Sequence, residues 1–273
     1  MRQLIIEKGK EKNGLIQLDG KDYRYLRQVL RVRAGDMISV RLPSGDLKNA
    51  TVAAIDESAR RVTLQICADT GITITRGVQA DQVEGAQIEY WLFQFLPRPQ
   101  KFELIVRQAT ECGVAVIVPV VGDFSEKSSA QALIGAKRDR LDRIIREARQ
   151  QSGSPVDTKV LEPVSLEKAI ELWNDACGAD GTDEHQHVAF VLSERDDCSG
   201  NLRATAEKSA GQGKIKKAAI AVGSEGGISP EEVKLLEEKG LFVPIHFAVN
   251  ILRCETAALY GIAAVQNEIN SSK

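Results

Sequence analysis

Short stretches in which apolar and polar residues alternate make up the first part of the chain. Gly, Asp and Ser separate them, and they predict strands at residues 4–7, 14–18, 37–42, 47–55 and 61–67. Residues 21–33 have helical spacing instead, with Leu26, Val29 and Leu30 on the inner face. We therefore predict a small β-barrel of about five strands with one helix.

Longer apolar segments begin near residue 88. A strand at 88–96, an amphipathic helix at 101–112 and a β-branched strand at 114–121 predict a β-α-β unit. The pattern continues with helices at 137–151, 166–173, 230–239 and 254–267 and with strands at 187–192, 217–222 and 241–247. The predicted fold class is α/β, with a largely parallel sheet covered by helices on both faces.

A polar, glycine-containing segment at 68–85 separates the two patterns. Such segments are typical of domain boundaries, so we predict two domains, at residues 1–72 and 73–273.

Composition narrows the class of protein. The 273 residues are 43% hydrophobic and 27% charged, as in globular proteins, and the chain has no apolar segment of membrane-spanning length. We expect a cytoplasmic location. The five cysteines are widely spaced and form no C-x-x-C pair, which argues against disulfides and zinc. The H-x-H of His185 and His187 lacks a second ligand cluster, so no metal site is predicted.

The net charge of −2 is unevenly distributed. Residues 1–50 contain 11 Lys or Arg against 6 Asp or Glu, which favours an anionic partner at the N-terminal end. On the predicted helix Arg24, Arg27 and Arg31 point outward, with Tyr23 and Tyr25 among them. An ordinary solvated helix face explains the arginines equally well.

Two motifs near the C-terminus carry candidate chemistry. Gly-Ser-Glu-Gly-Gly at 223–227 follows a predicted strand, and Ile-Leu-Arg-Cys-Glu-Thr-Ala at 251–257 leads into a predicted helix. Ligands on parallel sheets bind beyond the carboxyl ends of the strands, where both motifs fall. Packing alone could also explain the glycines. P-loop, Rossmann dinucleotide and G-x-S-x-G signatures are absent from the sequence.

These motifs, taken with three others, resemble a known family. The others are Y-L-R-Q-V-L-R at 25–31, Q-A-T-E-C-G-V at 108–114 preceded by Arg98 and Lys101, and the helix segment at 147–152. In this order they are similar to the SPOUT-superfamily methyltransferases that act on uracil N3 in 16S ribosomal RNA. The resemblance runs nearly end to end.

The resemblance implies an N-terminal PUA-like RNA-binding barrel and a C-terminal domain with a deep trefoil knot at about 187–273. It implies a homodimer, S-adenosylmethionine as cofactor, and 16S rRNA or the small ribosomal subunit as partner, with no membrane and no metal. The implied cofactor-binding residues are Leu192, Gly223, Glu225, Gly226, Gly227, Phe247, Ala248, Asn250, Ile251, Leu252, Thr256 and Ala257. The candidate RNA-binding residues are Arg24, Arg27, Arg31, Arg33, Arg98 and Lys101.

Uracil N3 carries a proton at neutral pH, so the reaction needs a proton acceptor and a group that stabilises negative charge on the ring oxygens. We assign Glu255 to the first role and Arg253 to the second. A helix-capping carboxylate is the alternative for Glu255.

The chain departs from the family pattern at several positions. Phe247-Ala248 replaces Leu-Gly, Asn250 and Ser154 replace arginines, Ser224 replaces a proline, and Tyr25 replaces a histidine. An alternative function is therefore a catalytically weakened RNA-binding or ribosome-assembly protein of the same fold.

Overall fold

The computed structural model describes residues 3–67, 88–133, 138–178, 186–193, 200–211 and 215–271. The chain divides into two compact units, Met1–Gln79 with Arg149–Pro155 and Ala80–Ala148 with Val156–Lys273. The predicted boundary at 72–73 lies outside the described residues, as do His185 and Cys198. Within the described ranges, no helix is long and apolar enough to cross a membrane.

The sheet of the first unit has six strands: β1 (Gln3–Ile5), β2 (Glu11–Lys12), β3 (Leu15–Leu18), β4 (Met37–Arg41), β5 (Leu47–Asp56) and β6 (Arg61–Ile66). They pair in the order β1-β4-β5-β6-β3-β2, and only β1 and β4 run parallel. All five predicted strands are present. The sixth, β2, is too short to produce an alternating pattern. The pairing path has two ends, so closure into a barrel stays a prediction.

The core of this unit follows from the alternation along the strands. Leu18 lies opposite Val62 and Val52 opposite Leu64, and all four side chains are buried. Leu26 from the helix packs into the same cluster. One face of the sheet therefore excludes water, which is the main stabilising contribution to such a small unit.

The helix after β3 is shorter than predicted. α1 (Gly20–Arg24) continues as one π-helical turn, Tyr25–Val29, and the chain leaves the helical path at Arg31, where φ is +55°. Leu26 is buried as expected, but Val29 is 55% exposed, so its predicted inward position is wrong. A π turn holds an extra residue, which rotates the following side chains away from the 3.6-residue spacing.

A buried polar network joins residues 149–155 to the rest of the first unit. Arg41 Nε donates to Gln3 Oε1 at 2.8 Å. Gln3 Nε2 donates to the carbonyl oxygens of Arg149 at 2.9 Å and Ser154 at 3.2 Å. Gln3 and Arg41 are both buried, and an unpaired buried polar group costs about 1–3 kcal/mol. The 149–155 segment therefore belongs to the fold of this unit.

The sheet of the second unit has seven strands: β7 (Glu89–Phe95), β8 (Val116–Val121), β9 (Lys159–Val160), β10 (Val164–Ser165), β11 (His187–Leu192), β12 (Lys217–Val222) and β13 (Val243–Ile245). Six lie in the order β10-β8-β7-β12-β11-β13, β9 also pairs with β8, and every pair is parallel. The helices after α1 are α2 (Pro99–Glu111), α3 (Lys127–Ala132), α4 (Arg138–Ser152), α5 (Leu166–Gly178), α6 (Leu202–Gly211), α7 (Pro230–Gly240) and α8 (Cys254–Ser271).

Helices cover both faces of this sheet. Leu92 and Ile220 belong to a buried cluster with side chains of α2, α4, α6 and α8, whereas Phe93 and Ala221 belong to a second cluster with α5 and α7. Successive strand residues point to opposite faces, which explains why these strands are apolar throughout. The predicted α/β class with a parallel sheet is confirmed.

Some elements differ from the prediction. The pattern did not predict α3, α6, β9 or β10, which are short or low in apolar residues. The strand predicted at 241–247 is limited to Val243–Ile245. Leu241 has φ +54° at the end of α7, and the chain turns again after Ile245, where Val249 N donates to Phe247 O at 2.7 Å.

Candidate functional site

The carboxyl ends of neighbouring parallel strands bring the two C-terminal motifs together. Residues 223–227 follow β12 and residues 246–253 follow β13, and both strands pair with β11. The segments border a cavity of about 800 Å³. That volume lies within the range of about 300–1,000 Å³ found for small-molecule sites.

Glycines shape the turn after β12. Gly227 has φ +80°, and its N–H donates to Ser224 O at 3.1 Å to close the turn. A Cβ on Gly223 would lie 2.6 Å from the backbone carbon of Gly227, and one on Gly226 would lie 2.8 Å from Cβ of Phe124. Both positions therefore need glycine for close packing, one against the loop backbone and one against Phe124. Without side chains they also leave the loop backbone bare towards the cavity.

Gln94 in β7 supports this turn and was not predicted. Its Nε2 donates to the carbonyl oxygens of Phe95 at 2.9 Å, Val222 at 3.3 Å and Gly223 at 3.0 Å. The side chain is 0% exposed. An amide in the otherwise apolar run Trp-Leu-Phe-Gln-Phe was the sequence signal, because a buried polar side chain requires partners.

Residues after β13 form the opposite wall. The Phe247 ring contacts the Tyr260 ring of α8 with centroids 5.0 Å apart, and His246 Nδ1 lies 3.2 Å from Ser193 O. Ala248 replaces the family's glycine, and its φ lies outside the left-handed region. The turn therefore forms without glycine at this position.

A charged cluster joins the two motifs. Lys101 Nζ on α2 lies 3.5 Å from Glu225 Oε1 in the glycine turn and 3.4 Å from Glu255 Oε2 at the start of α8. Glu225 Oε1 also accepts the backbone N–H of Arg98 at 3.3 Å. One ammonium group thus bridges carboxylates that are 30 residues apart in sequence.

The environment of Glu255 favours its ionised form. Burial by itself would raise the pKa of Glu255, but its own backbone N–H, the Cys254 thiol and Lys101 together lower it from 4.5. Cys254 Sγ donates to Glu255 Oε2 at 3.2 Å. Burial, together with this hydrogen bond, raises the pKa of Cys254 to about 12, so the thiol stays protonated. The carboxyl group of Glu255 is therefore ionised at neutral pH, although its lowered pKa also makes it a weaker proton acceptor.

Arg253 enters the cavity from the start of α8. Its carbonyl accepts the N–H groups of Thr256 at 2.9 Å and Ala257 at 2.7 Å, so it occupies the capping position of the helix. The residue is exposed, and it lines the cavity. A cation at this position can reach a ligand that occupies the cavity.

Comparison with known proteins identifies the family. A model of the RNA methyltransferase domain matches residues 84–266. The chain belongs to the RNA methyltransferase domain family. The relationship predicted from the motifs is confirmed.

Two relatives of this methyltransferase are named as ribosomal RNA small subunit methyltransferases. Methyltransferase E 2 of Borreliella burgdorferi is 26% identical over 264 residues, which cover 96% of each chain. Methyltransferase E of Aquifex aeolicus is 30% identical over 165 residues, or 60% of this chain and 62% of the relative.

Solved structures share the fold of this methyltransferase. The Neisseria gonorrhoeae ribosomal RNA small subunit methyltransferase E, bound to S-adenosylmethionine, has a TM-score of 0.70 at 22% identity and covers 98% of this chain and 97% of its own. A Legionella pneumophila protein in complex with the same cofactor has a TM-score of 0.71 at 19% identity and covers 97% of both chains.

The structure of the methyltransferase brings most predicted cofactor residues to the cavity. Those that line it are Leu192, Gly223, Glu225, Gly226, Gly227, Phe247, Asn250, Ile251, Leu252 and Ala257. Within the described part of the chain, Ala248 and Thr256 lie beside the lining residues without being among them. Lys101, predicted to contact RNA, also lines the cavity. Among the described residues, Glu255 is not one of the lining residues, and its carboxylate lies 3.4 Å from Lys101 Nζ.

Among the described residues, the remaining candidate RNA-binding residues do not line this cavity. Arg24, Arg31 and Arg33 are exposed in the first unit, and Arg98 is exposed just before α2. Arg27 donates to Val32 O and Glu57 Oε1, both at 2.8 Å. Arg27 therefore has a structural role within the first unit whether or not it also contacts RNA.

No group of three or more His, Cys, Asp or Glu is arranged to hold a metal ion among the residues that the structure describes.

Proposed function

We propose that the protein transfers a methyl group from S-adenosylmethionine to N3 of a specific uridine in 16S ribosomal RNA of the small subunit. The observation that carries the proposal is the placement of the glycine turn, Arg253 and the Lys101–Glu255 pair at one cavity, in a chain of the RNA methyltransferase family. Relatives named as small subunit rRNA methyltransferases support the substrate class. The cofactor-bound Neisseria structure supports the cofactor.

The cavity fits S-adenosylmethionine. Leu192, Phe247 and Leu252 give it an apolar wall suited to a flat purine ring, while the bare backbone of residues 223–227 offers polar groups at close range. Glu225 supplies a negative charge for the ammonium group that the ligand carries. We infer that these residues hold the cofactor.

The protein's own groups prepare the uracil ring. When bound, S-adenosylmethionine supplies an activated methyl group. The Glu255 carboxylate, held ionised, accepts the N3 proton of the uracil. Arg253 stabilises the negative charge that spreads to the ring oxygens as the proton leaves. Holding the deprotonated ring in line for attack contributes much of the rate.

We also propose the finer features implied by the family resemblance. We propose a trefoil knot at about 187–273 from the family resemblance. A PUA-like barrel is supported by the mixed six-stranded sheet. We propose a homodimer from the family resemblance. A ribosomal RNA substrate supports a cytoplasmic location.

Binding of the cofactor tests the first step. Calorimetry should detect S-adenosylmethionine binding to the purified protein, and no binding at near-millimolar cofactor would refute the enzyme in favour of the weakened RNA-binding alternative. Mass spectrometry of 16S rRNA from cells with and without the gene should find N3-methyluridine only in the former.

Substitution of Arg253 tests the catalytic assignment. Arg253→Ala should lower methyl transfer by roughly 100-fold or more, the usual cost of one charge-stabilising donor, and leave the oligomeric state unchanged. Arg203→Ala is the matched control, because Arg203 pairs with Glu207 on the exposed face of α6. Full activity of Arg253→Ala would remove Arg253 from the mechanism.

A further inference from the structure

Phe124 is a large apolar residue left exposed at the site. It follows β8, is 53% exposed and lines the cavity. A single exposed apolar residue on an ordinary surface needs no explanation. Here the phenyl ring lies at the rim of a cavity that must admit a nucleobase, and it was not among the predicted site residues.

The loop that carries Phe124 is held firmly. Gly122 N donates to Ser125 Oγ at 3.0 Å, and Asp123 N donates to Glu232 Oε1 at 2.8 Å. Ser229 Oγ donates to Asp123 Oδ2 at 2.8 Å. Bonds on both sides of Phe124 thus fix the backbone, as is typical of residues that must present a side chain to a ligand.

Ser224 ties Phe124 directly to the glycine turn. Ser224 Oγ donates to Phe124 O at 3.0 Å, and the missing Cβ of Gly226 leaves room for Phe124 Cβ. Proline, which the family pattern has at position 224, has no hydroxyl group and could not make this bond. The departure at Ser224 therefore has a structural consequence in this chain.

The proposed reaction also requires an aromatic surface on which the uracil ring can stack. N3 lies on the edge of uracil that pairs with another base, so the ring must leave its stack before N3 can be reached. Proteins hold such rings by stacking on aromatic side chains and by polar contacts to the ring edge. Arg253 and Glu255 supply polar contacts, but Phe247 packs against Tyr260 on the cofactor side.

We propose that Phe124 is the platform on which the target base stacks, and that Ser224 positions it. This inference rests on the proposed function. Its ligand is the flat face of a pyrimidine extruded from RNA.

Kinetics of Phe124 variants test the platform. Loss of one base-stacking contact costs about 5- to 150-fold, so Phe124→Ala should lower kcat/KM for unmodified 16S rRNA by that factor, mainly through KM. Phe124→Leu should lose nearly as much, whereas Phe124→Trp should keep most of the activity. Calorimetric affinity for S-adenosylmethionine should stay the same in all three variants.

A control and a spectroscopic readout separate stacking from mere packing. Leu241→Ala changes another exposed apolar residue, 74% exposed and outside the cavity, and should leave the kinetics unchanged. Trp91 and Trp173 are buried and give a constant background. The fluorescence of Phe124→Trp should therefore be quenched when unmodified 16S rRNA is added.

Comparison of single and double variants tests the positioning role of Ser224. Ser224→Ala should raise KM for RNA less than Phe124→Ala does, and the double variant should be no worse than Phe124→Ala alone, because both changes remove one interaction. Strictly additive effects would overturn the positioning role of Ser224.

Other outcomes address the inference as a whole. If the unaltered protein methylates uridine and Phe124→Ala does so equally well, the stacking inference fails while the proposed function stands. If the unaltered protein methylates no uridine, the proposed function itself fails. A changed molecular mass of Phe124→Ala in solution would show that the ring is a subunit contact and overturn the inference.

Discussion

Replacement of Lys101 by methionine is the most informative single change, because Lys101 bridges the glycine turn and the start of α8. Its Nζ lies 3.5 Å from Glu225 and 3.4 Å from Glu255, and the three side chains are 28%, 33% and 17% exposed. At such distances one pair is worth about 4–5 kcal/mol at an effective dielectric constant near 20, before desolvation and side-chain ordering are subtracted.

The net contribution of the two ion pairs to stability is much smaller than this Coulomb energy. Partly exposed pairs retain up to about 1 kcal/mol each, so Lys101→Met should lower the free energy of unfolding by about 1–2 kcal/mol. For a chain of this size the melting temperature should fall by about 2–6 °C. Methionine keeps most of the apolar stem of lysine, so the loss of stability measures the contribution of the charge. The two carboxylates also lose their shared cation, and cofactor affinity should fall with stability.

The pH dependence of unfolding shows whether the lost stability comes from the ion pair with Glu255. The pKa of Glu255 is lowered in the folded protein, so its contribution is fully present above its ordinary value of 4.5 and is lost as pH falls through the folded value. Urea unfolding of the normal and variant proteins should therefore differ at pH 7 and converge in the acid range below that pKa. Lys101→Arg should resemble the normal protein.

A surface pair provides the matched control. Lys168 and Glu171 lie 2.8 Å apart on α5, but their side chains are 54% and 62% exposed. Lys168→Met should therefore change stability too little to resolve. The reasoning would be refuted if the two methionine variants behaved alike, or if the effect of Lys101→Met were the same at pH 7 and in acid.

Two further predictions concern other parts of the chain. Arg24 and Arg31 are exposed, whereas Arg27 is hydrogen-bonded to Val32 and Glu57. Replacing Arg24 and Arg31 together by Gln should therefore lower the slope of log affinity for RNA against log salt concentration by about two. Arg27→Gln should lower that slope by less than about one. Filter binding at several salt concentrations measures this, and unchanged slopes would support a merely solvated helix face. Leu241 has φ +54° and is 74% exposed, so Leu241→Gly should raise the free energy of unfolding by about 0.5–1 kcal/mol, since relief of left-handed strain exceeds the entropy cost of glycine. Destabilisation in a urea titration would show that the strain is absent.

Local patterns were sufficient for most of the fold. Strands at 187–192 and 217–222 and a helix starting at Pro230 follow from apolar spacing and from end signals such as Ser229, whose capping box begins α7. The prediction failed where no local signal exists. The π turn at Tyr25–Val29 changes the helical spacing without any marker residue, and β9 and β10 have two residues each.

The candidate site was predictable in part for the same reason. Glycine turns and helix starts are local features, so Gly223 and Arg253 could be assigned from their neighbours in sequence. For Gln94 the sequence signals only a buried amide in an apolar strand, and for Phe124 it gives no signal, because their contacts to the glycine turn join residues at least 100 positions apart. Their roles at the site become visible only from the contacts that they make in the folded structure.

The sequence by itself determined the type of most elements, the α/β class and the two motifs, because these depend on interactions between residues a few positions apart. The tertiary structure alone decided that Lys101 joins Glu225 to Glu255, and that Ser224 holds Phe124 at the cavity. Those contacts depend on the strand order β8-β7-β12-β11-β13. The order is set by burial summed over the whole sheet, which no short stretch of sequence contains.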